Sequence, residues 1–432
     1  MKNDIIQYLR SKSILILGYG QEGKTALEFI QKNLPDNAVA VADKNPIEVE
    51  GALSFSGADY LRHCKDFDII IKSPGVEIKD FISEEDKEKI TSLSDLFLCF
   101  CQNPIIGITG TKGKSTTSSL IYHILTTCGK KAVLTGNIGQ PCFEVIDQLD
   151  YETIVVFELS CHQLEFVKAS PHIAILLNLY EEHFDHYAKP EDYFRAKKNI
   201  YRFQTGEDLL IYGDIFEHAS REEIAALDCE TVEISQIPIK DDEIETTLLG
   251  EHNYNDIRAA IRACQGFGLS KQQCLEAVKS FRGLPHRLEY VGKYEGIDFY
   301  NDSIATAQEA TISAVQALGR VNTIILGGMD RGISYDHLVD FLRDSSVRNV
   351  ILLPNTARRF MDLFNASSYK QRLFAAKDMK EAVDIAYRET EKDKICLLSP
   401  AAASYGFYKN FKERGEDYCN LIKNHDKTQK VS

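Results

Sequence analysis

Three apolar strands that run directly into glycine-containing turns divide the sequence and limit its possible folds. They lie in the segments SILILGYG, NPIIGITGTKG and TIILGG, and each begins a new alternation of apolar strands with amphipathic helices. Strands that alternate with helices pair in parallel, because each helix returns the chain to the same end of the sheet. The sequence therefore predicts an α/β fold with mostly parallel sheets.

The same division predicts three domains. A chain of 432 residues is about three domains long, since one domain usually has roughly 100 to 200 residues. Turn chemistry places the boundaries near residues 98 and 284, which gives domains over 1–98, 99–284 and 285–432.

Composition excludes several classes of protein. The net charge of -14 disfavours a nucleic-acid binder, and no apolar run approaches the length of a membrane helix. The N-terminal segment MKNDIIQYLRSK lacks the apolar core of a signal peptide, and the 11 cysteines include no C-x-x-C pair. We expect a cytoplasmic protein with free thiols, no nucleic-acid partner and no membrane insertion.

The first glycine turn, GYGQEG, has the G-x-G-x-x-G spacing over Gly18 to Gly23, and Asp43 ends the next strand. Glycines at this spacing let backbone N–H groups approach a diphosphate, and an acid at the end of the next strand can bind a ribose. A dinucleotide site, a nucleotide-sugar site and a simple tight turn are all compatible with this pattern.

The second glycine turn, GTKGKST, is more specific. A strand enters it, and the helical segment TTSSLIYHIL leaves it. In such a phosphate-binding loop Lys114 can reach the outer phosphates and Ser115 can coordinate Mg²⁺. The alternative is a flexible glycine turn, because the spacing from Gly110 to Gly113 is shorter than in the common phosphate-loop pattern.

Carboxylates and histidines follow the next two strands. TIVVF ends at Glu158, and IAILLN is followed by EEHFDHY, which contains His183. Because the carboxyl ends of parallel strands meet at the ligand crevice, Glu158 and His183 are candidate metal ligands. The alternative for His183 is a loop histidine whose hydrogen bonds are satisfied locally.

The helix YFRAKKNIY contains a lysine on its apolar face. At helical spacing Lys197 lies between Tyr193 and Tyr201, whereas Lys198 lies on the polar face. A buried ammonium is costly, so Lys197 either extends its amine to the rim or has reacted with CO₂ to form a carbamate. A carbamate would supply an anionic oxygen ligand for a second Mg²⁺.

Ordered motifs along nearly the whole chain closely resemble those of the Mur ligases, and among them the members that add D-glutamate. The matching segments are GTKGKST, ELSCHQLE, LNLYEEHFDHY, EHNYNDIRAA, GLPHRLEY, NDSIATA and LLSPAAASYGFYKNFKERG. The resemblance implies a Rossmann-like N-terminal domain for a UDP-sugar, a central P-loop ATPase domain with a mostly parallel sheet, and a Rossmann-like C-terminal domain for the incoming amino acid.

The resemblance also implies roles for individual residues. The nucleotide would be held by Gly110, Thr111, Lys112, Gly113, Lys114, Ser115, Thr116, Asn253, Arg287 and Asp302. Ser115, Glu158, His183 and Lys197 would hold Mg²⁺, with Lys197 carbamylated, and Lys114, His183 and Lys197 would be catalytic. The UDP-substrate would contact Gly20, Gln21, Glu22, Asp43, Ser73 and Asn137. The amino acid would contact Thr306, Arg331, Ser404 and Phe411.

The implied reaction uses ATP and Mg²⁺, as two ions, to join D-glutamate to UDP-N-acetylmuramoyl-L-alanine through an acyl phosphate, in a monomeric enzyme. The sequence departs from the family where Ile304 replaces a usual lysine and Arg331 replaces another. Arginine keeps the charge and isoleucine does not. A ligase for a different amino acid therefore stays open, as do a nicotinamide-dependent oxidoreductase based on GYGQEG and a scaffold protein with a degenerate ligase fold.

Overall fold

The computed structural model describes residues 1–78, 83–180, 187, 189–248, 250, 252–366 and 370–429. The chain forms two compact units. The first unit comprises Met1–Thr246 with Glu251–Phe281, and the second comprises Thr247–Gly250 with Arg282–Ser432. Both units contain mostly parallel sheets covered by helices, which confirms the predicted α/β fold.

The first unit begins with a five-stranded parallel sheet in the order β3-β2-β1-β4-β5. The chain reverses its direction across the sheet next to β1, and ligands of α/β proteins bind at such a point. The elements are α1 (Lys2–Leu9), β1 (Ile14–Leu17), α2 (Gln21–Asn33), β2 (Val39–Asp43), β3 (Leu53–Ser56), a 3₁₀ helix (Tyr60–Asp66), β4 (Ile69–Lys72), α3 (Glu84–Glu88), β5 (Ile90–Thr91) and α4 (Leu93–Phe100).

A second parallel sheet in the same unit has six strands in the order β11-β10-β9-β6-β8-β7. Its elements are β6 (Ile105–Thr109), α5 (Lys114–Thr127), β7 (Ala132–Gly136), a 3₁₀ helix (Ile146–Gln148), β8 (Ile154–Glu158), α6 (Cys161–Leu164), β9 (Ile173–Asn178), α7 (Pro190–Arg202), β10 (Leu209–Asp214), α8 (Arg221–Ala225), β11 (Glu230–Glu233), 3₁₀ helices (Ile234–Gln236 and Asp241–Glu243), α9 (His252–Gln265) and α10 (Lys271–Ser280). Central β6 lies between β8 and β9, so the ends of these three strands are neighbours.

The second unit has one six-stranded sheet in the order β12-β13-β17-β14-β15-β16, in which β12 and β13 are antiparallel and the other pairs are parallel. Its elements are β12 (Glu289–Tyr294), β13 (Ile297–Asn301), α11 (Gln308–Leu318), β14 (Val321–Leu326), α12 (Asp336–Arg343), β15 (Asn349–Leu352), α13 (Ala357–Ala366), β16 (Arg372–Ala375), α14 (Met379–Glu389), β17 (Ile395–Leu398) and α15 (Phe411–Gln429). The loops after β13, β14 and β17 leave the same end of the sheet.

The central strands are buried because helices cover both faces of each sheet. Every residue of β1, β6, β8 and β14 is buried, which is why these strands appear in the sequence as continuous apolar runs instead of an alternating pattern. The cysteines of the described chain are all free thiols, as expected. Across the described segments, no helix combines the length and the apolar character that crossing a bilayer requires.

Candidate active site

The glycine loop between β6 and α5 has a backbone that only glycine accommodates well at Gly113. Gly113 has a φ of 87°, and a Cβ at this position would lie 2.6 Å from Oδ1 of Asp256. A side chain here would be strained in conformation and would also clash. Gly113 therefore lets the loop turn closely into the N-terminus of α5, where backbone N–H groups can bind an anion.

Asn178, at the end of β9, fixes the glycine loop from the neighbouring strand. Its side chain accepts a hydrogen bond from Lys112 N at 2.9 Å and donates one to Lys112 O at 3.1 Å. Its backbone carbonyl accepts from Thr111 N at 3.1 Å. These bonds hold the loop in one conformation before any ligand binds, which lowers the entropic cost of binding.

Two lysine side chains meet at the first carbonyl of the loop. Lys114 Nζ donates to the carbonyl oxygens of Gly110 and Thr111, both at 2.9 Å, and Lys197 Nζ donates to Gly110 O at 2.8 Å. Lys114 thus lies folded back over the loop, from where its flexible side chain can turn to a phosphate. The structure brings these two predicted catalytic residues together.

The burial of Lys197 agrees with the helical pattern of the sequence. Lys197 on α7 is 2% exposed, and its ammonium lies 4.9 Å from the ring centre of Tyr193. The Tyr193 hydroxyl in turn lies 3.0 Å from Thr111 Oγ1. Lys198 points away and pairs with Glu223 at 2.7 Å. Only the first of the two adjacent lysines therefore belongs to the site.

Glu158 ends β8 in full burial, next to the glycine loop. Its Oε1 accepts a hydrogen bond from Asn137 Nδ2 at 2.9 Å, whereas Oε2 is buried and makes no hydrogen bond with any described residue. A buried carboxylate oxygen in need of a partner suits a hard cation such as Mg²⁺.

The predicted metal ligand His183 lies outside the described residues. Among the residues that are described, no cluster of three or more His, Cys, Asp or Glu side chains has a metal-binding arrangement. Of the predicted metal ligands, Glu158 and the half-buried Ser115, at the start of α5, lie within the described residues and carry side-chain oxygens.

A cleft of about 920 Å³ opens at the ends of the two sheets of the first unit. Its size lies in the usual range for a small-molecule site. It is lined by loops that follow β1, β2, β4, β7 and β8. All six residues predicted to contact the UDP-substrate line this cleft, namely Gly20, Gln21, Glu22, Asp43, Ser73 and Asn137.

Two acids in this cleft have different surroundings. Asp43 accepts hydrogen bonds from the backbone N–H groups of Tyr19 and Asn45, both at 2.8 Å, and so closes the GYGQEG turn. Glu22 Oε1 accepts from Gln163 Nε2 at 3.0 Å, while burial raises the pKa of Glu22. Asp43 thus stabilises the turn. The second carboxylate oxygen of Glu22, Oε2, makes no hydrogen bond with the described residues.

Three of the residues predicted to contact the amino acid lie in loops at one end of the second unit's sheet, and the fourth, Phe411, begins α15. Thr306 follows β13, Arg331 follows β14, and Ser404 and Phe411 follow β17. The Arg331 guanidinium donates to Thr306 O at 3.1 Å. The structure therefore brings the loops after β13 and β14 into contact through two of the predicted residues.

A buried arginine joins the loops after β13 and β17. Arg414 is 1% exposed, and its guanidinium donates to Ser303 O at 2.8 Å and to Ala402 O at 3.0 Å. The Ser303 hydroxyl donates to Phe411 O at 2.8 Å. This network fixes the backbone around the candidate amino-acid site.

The remaining predicted nucleotide contacts lie in both units. Asn253 is buried on α9 of the first unit, while Arg287 is exposed in the second. Asp302, also in the second unit, accepts hydrogen bonds from Ser399 Oγ at 2.7 Å and Leu288 N at 3.2 Å. Burial raises the pKa of Asp302 to about 6, opposed by these bonds and by the nearby charge of Arg287.

Three residues near the site were missed by sequence reasoning. Asn178 and Arg414 act through contacts with chain segments that are distant in sequence, which no local pattern reveals. Asp256 could have been found, because it shares a helix face with Ala260 and Ala263 at intervals of four and seven residues. An acid on an apolar helix face is unusual, and Asp256 is buried.

Comparison with known proteins identifies two family domains in this chain. The Mur ligase middle domain matches residues 108–235, and the glutamate ligase domain of the Mur ligases matches residues 286–402. The UDP-N-acetylmuramoylalanine--D-glutamate ligase of Clostridium tetani (strain Massachusetts / E88) is 30% identical over an alignment of 455 positions. That alignment covers 98% of this chain and 99% of the relative.

Solved structures share the fold over nearly the same length. UDP-N-acetylmuramate-alanine ligase MurC from Thermotoga maritima has a TM-score of 0.57 at 16% identity and covers 96% of this chain and 100% of its own. MurF ligase from Thermotoga maritima, solved in complex with ADP, has a TM-score of 0.56 at 14% identity, with coverage of 98% and 97%. By sequence relationship over its full length, and with a fold in agreement, this chain belongs to the Mur ligase family.

Proposed function

We propose that this enzyme uses ATP to join D-glutamate to UDP-N-acetylmuramoyl-L-alanine in the synthesis of a peptidoglycan precursor. The observation that carries the proposal is the meeting of Lys114 and Lys197 at Gly110 O, beside the buried acid Glu158. This arrangement suits phosphoryl transfer, in which positioning and charge compensation supply most of the catalysis. The full-length similarity to D-glutamate ligases supports the choice of substrates.

The first step would transfer the γ-phosphate of ATP to the carboxylate of the UDP-substrate. Both reactants are anions, so they repel one another unless cations lie between them. Lys114 and the N–H groups at the start of α5 would hold the transferring phosphate and balance the charge that develops on its oxygens. The amine of the amino acid would then attack the acyl phosphate, and phosphate would leave as the amide forms.

Asn137 would connect the two reactants. It lines the cleft, and both its backbone N–H and its side chain donate to Glu158, at 3.0 Å and 2.9 Å. A UDP-sugar bound in the cleft would therefore place its carboxylate end toward the metal and phosphate side of the same unit. This geometry supports assigning Gly20, Gln21, Glu22, Asp43, Ser73 and Asn137 to the UDP-substrate.

Mg²⁺ fits the donor set of Glu158 and Ser115, together with His183 as an expected third ligand. Bound there, Mg²⁺ would neutralise phosphate charge and orient the γ-phosphate. Lys197 fits carbamylation because it is buried and because a carbamate nitrogen keeps one N–H, which could still donate to Gly110 O. The carbamate would give the site a further anionic oxygen for a second ion.

The amino acid would bind at the loops of the second unit. Arg331 offers a planar, permanently charged group for a carboxylate, and Thr306, Ser404 and the backbone near Phe411 offer further polar contacts. We further propose three functional domains over 1–98, 99–284 and 285–432, of which the outer two are Rossmann-like. The three separate sheets formed by the described residues support this division. The cytoplasmic location and the monomeric state stay predictions.

A phosphate-release assay tests the proposal. Release should require ATP, UDP-N-acetylmuramoyl-L-alanine and D-glutamate together, and the UDP product should gain the mass of one glutamate residue. Turnover without an acidic amino acid would contradict the assignment. A screen of L- and D-amino acids serves as the control for specificity.

A second candidate is the same ligase chemistry with a different amino acid. Ile304 favours it, because a half-buried isoleucine occupies a position where a lysine is expected in this family. No phosphate release with D-glutamate, together with phosphate release with another amino acid in the same screen, would favour this second candidate.

A further inference from the structure

A buried carboxyl group lies against the turn that leads from the glycine loop into α5. Asp256 on α9 is 5% exposed, and a Cβ built on Gly113 would lie 2.6 Å from its Oδ1 and 3.0 Å from its Oδ2. Oδ2 is buried and has no hydrogen-bond partner in the described structure. The proposed reaction gives this group no task.

We propose that Asp256 is a positioning residue for the glycine loop that must be neutral when nucleotide is bound, so that nucleotide binding takes up a proton at Asp256. The inference rests on the proposed function, because it assumes that GTKGKST binds the phosphates of a nucleotide. It adds a dependence of nucleotide affinity on pH that the proposed reaction by itself does not require.

The electrostatic argument concerns two negative charges at one anion site. The loop N–H groups and the N-terminus of α5 attract phosphate. An ionised Asp256 packed against Gly113 would occupy the same positive region and repel the phosphates through a poorly solvated interior. The neutral acid keeps the packing against Gly113 and removes the repulsion.

Burial alone already favours the neutral acid. It raises the pKa of Asp256 to about 8, and the nearby hydroxyl of Thr117 on α5 opposes the rise. Strand β9 and the 3₁₀ helix Ile234–Gln236, which also pack against α9, carry no ionisable side chain.

Ionisable groups on α9 and on the elements packed against it have partners of their own. Lys114 donates to loop carbonyls, His123 bonds to Ala277 O and Ser280, Lys271 pairs with Glu243, Lys279 pairs with Glu245 and Glu276, Asp214 accepts from the Tyr180 hydroxyl, Arg258 pairs with Asp241, and Arg262 pairs with Glu230. Burial raises the pKa of Tyr212 on β10, of Cys264 on α9 and of Cys274 on α10, so these groups stay neutral.

The sign of the pH effect follows from linkage. Bound phosphates favour the protonated acid, so they raise the pKa of Asp256 above its value in the free enzyme. Nucleotide then binds most tightly below about pH 8 and more weakly above it. Because the pKa of Asp256 in the free enzyme is about 8, the apparent Kd for nucleotide should rise about tenfold between about pH 7 and about pH 9.

Calorimetric titration of the full-length protein with ADP at constant free Mg²⁺ tests this inference. Titrations at pH 7 and 9, in buffers with different ionisation enthalpies, give the Kd and the number of protons exchanged. The wild-type protein should lose about tenfold in affinity at pH 9 and take up close to one proton per ADP there. Asp256→Asn keeps the shape of the neutral acid, so its affinity should be equal at both pH values without proton uptake.

Asp241→Asn is the matched control, because Asp241 is an exposed acid that pairs with Arg258 on the same helix as Asp256. This variant should behave as the wild type. A flat wild-type profile, or an equal loss of affinity in Asp256→Asn, would overturn the inference. In both cases ADP still binds, so the proposed nucleotide site would stand.

A second variant serves if Asp256→Asn does not fold. Thr117→Val removes the hydroxyl that lowers the pKa of Asp256, so the loss of affinity should move to higher pH. An unchanged profile in Thr117→Val would overturn the inference. Absence of ADP binding at both pH values would overturn the nucleotide site, and this inference with it.

Discussion

The ammonium of Lys197 lies 2.8 Å from the carbonyl oxygen of Gly110, although the two residues are separated by 87 positions in the chain. The adjacent Lys198 instead pairs with Glu223 on α8. Two consecutive lysines thus serve different parts of the molecule, one the glycine loop and the other the outer face of α7.

The two lysines should respond differently to substitution. Lys197→Ala should lower turnover by at least about 100-fold, because the loop loses a buried hydrogen bond to Gly110 O and the site loses its expected anion. Lys198→Ala should keep near-normal turnover and lose at most about 1 kcal/mol of stability. Phosphate release under saturating substrates measures the turnover of both variants. Partial rescue of Lys197→Ala by short carboxylic acids would support the carbamate, and equal activity of the two variants would exclude a role for Lys197.

Arg331 should control the affinity for the incoming amino acid. Arg331→Ala removes the guanidinium that is anchored to Thr306 O, and the KM for D-glutamate should rise by about 10- to 100-fold, as expected for a lost charge-assisted hydrogen bond. The KM for ATP should not change. Arg343→Ala, which breaks an exposed pair with Asp340 on α12, is the control. A parallel rise of both KM values in Arg331→Ala would indicate damage to the fold.

Arg414 should be essential for the stability of the second unit. Arg414→Ala leaves the carbonyls of Ser303 and Ala402 buried without their donor, which should cost roughly 3 kcal/mol or more. The midpoint of thermal unfolding should then fall by about 10 °C. Lys412→Ala, an exposed change on the same helix, should shift it by no more than about 1 °C. An unchanged midpoint in Arg414→Ala would contradict the network.

Asp302 should make stability depend on pH between about 4 and 7. Burial raises its pKa from 3.8 to about 6, so the folded state binds the proton more tightly than the unfolded chain does. The resulting stability is fully present below pH 3.8 and is lost as the pH rises through 6.

Asp302→Asn has no ionising carboxyl group at this position, so it does not lose this stability as the pH rises. Its unfolding free energy relative to wild type should therefore increase by roughly 2 to 3 kcal/mol between about pH 4 and about pH 7. Urea unfolding at both pH values measures this difference, and the comparison cancels the effect of the altered hydrogen bonds. If the unfolding free energies of the two proteins depended on pH in the same way, the raised pKa of Asp302 would be contradicted.

Much of the architecture could be predicted because it depends on local patterns. Apolar runs such as IIGIT and IVVFE become fully buried strands, and the turns that follow them carry the predicted site residues. Residues after parallel strands converge at one edge of a sheet, which is why Asp43 and Ser73, after β2 and β4 of the same sheet, line one cleft.

Contacts between distant segments could not be predicted from the sequence. Asn178 ends a strand like any other polar residue, and its role as a brace for Lys112 depends on β9 lying beside β6. Arg414 stands among the charges of KNFKERG, which resemble an exposed helix surface. Only the packing of α15 buries its guanidinium. The role of His183 stays a prediction, since it lies outside the described residues.

The anchoring of loops by Arg414 has a consequence for how such an enzyme can evolve. Its guanidinium donates hydrogen bonds to the backbone oxygens of Ser303 and Ala402. These bonds do not depend on the identity of the side chains that follow Ser303 and Ala402. Ile304 directly follows the anchored Ser303 and stands at a position where a lysine is usual in the family. If this rim binds the incoming amino acid as proposed, substitutions there would alter its contacts while the anchored backbone keeps its shape.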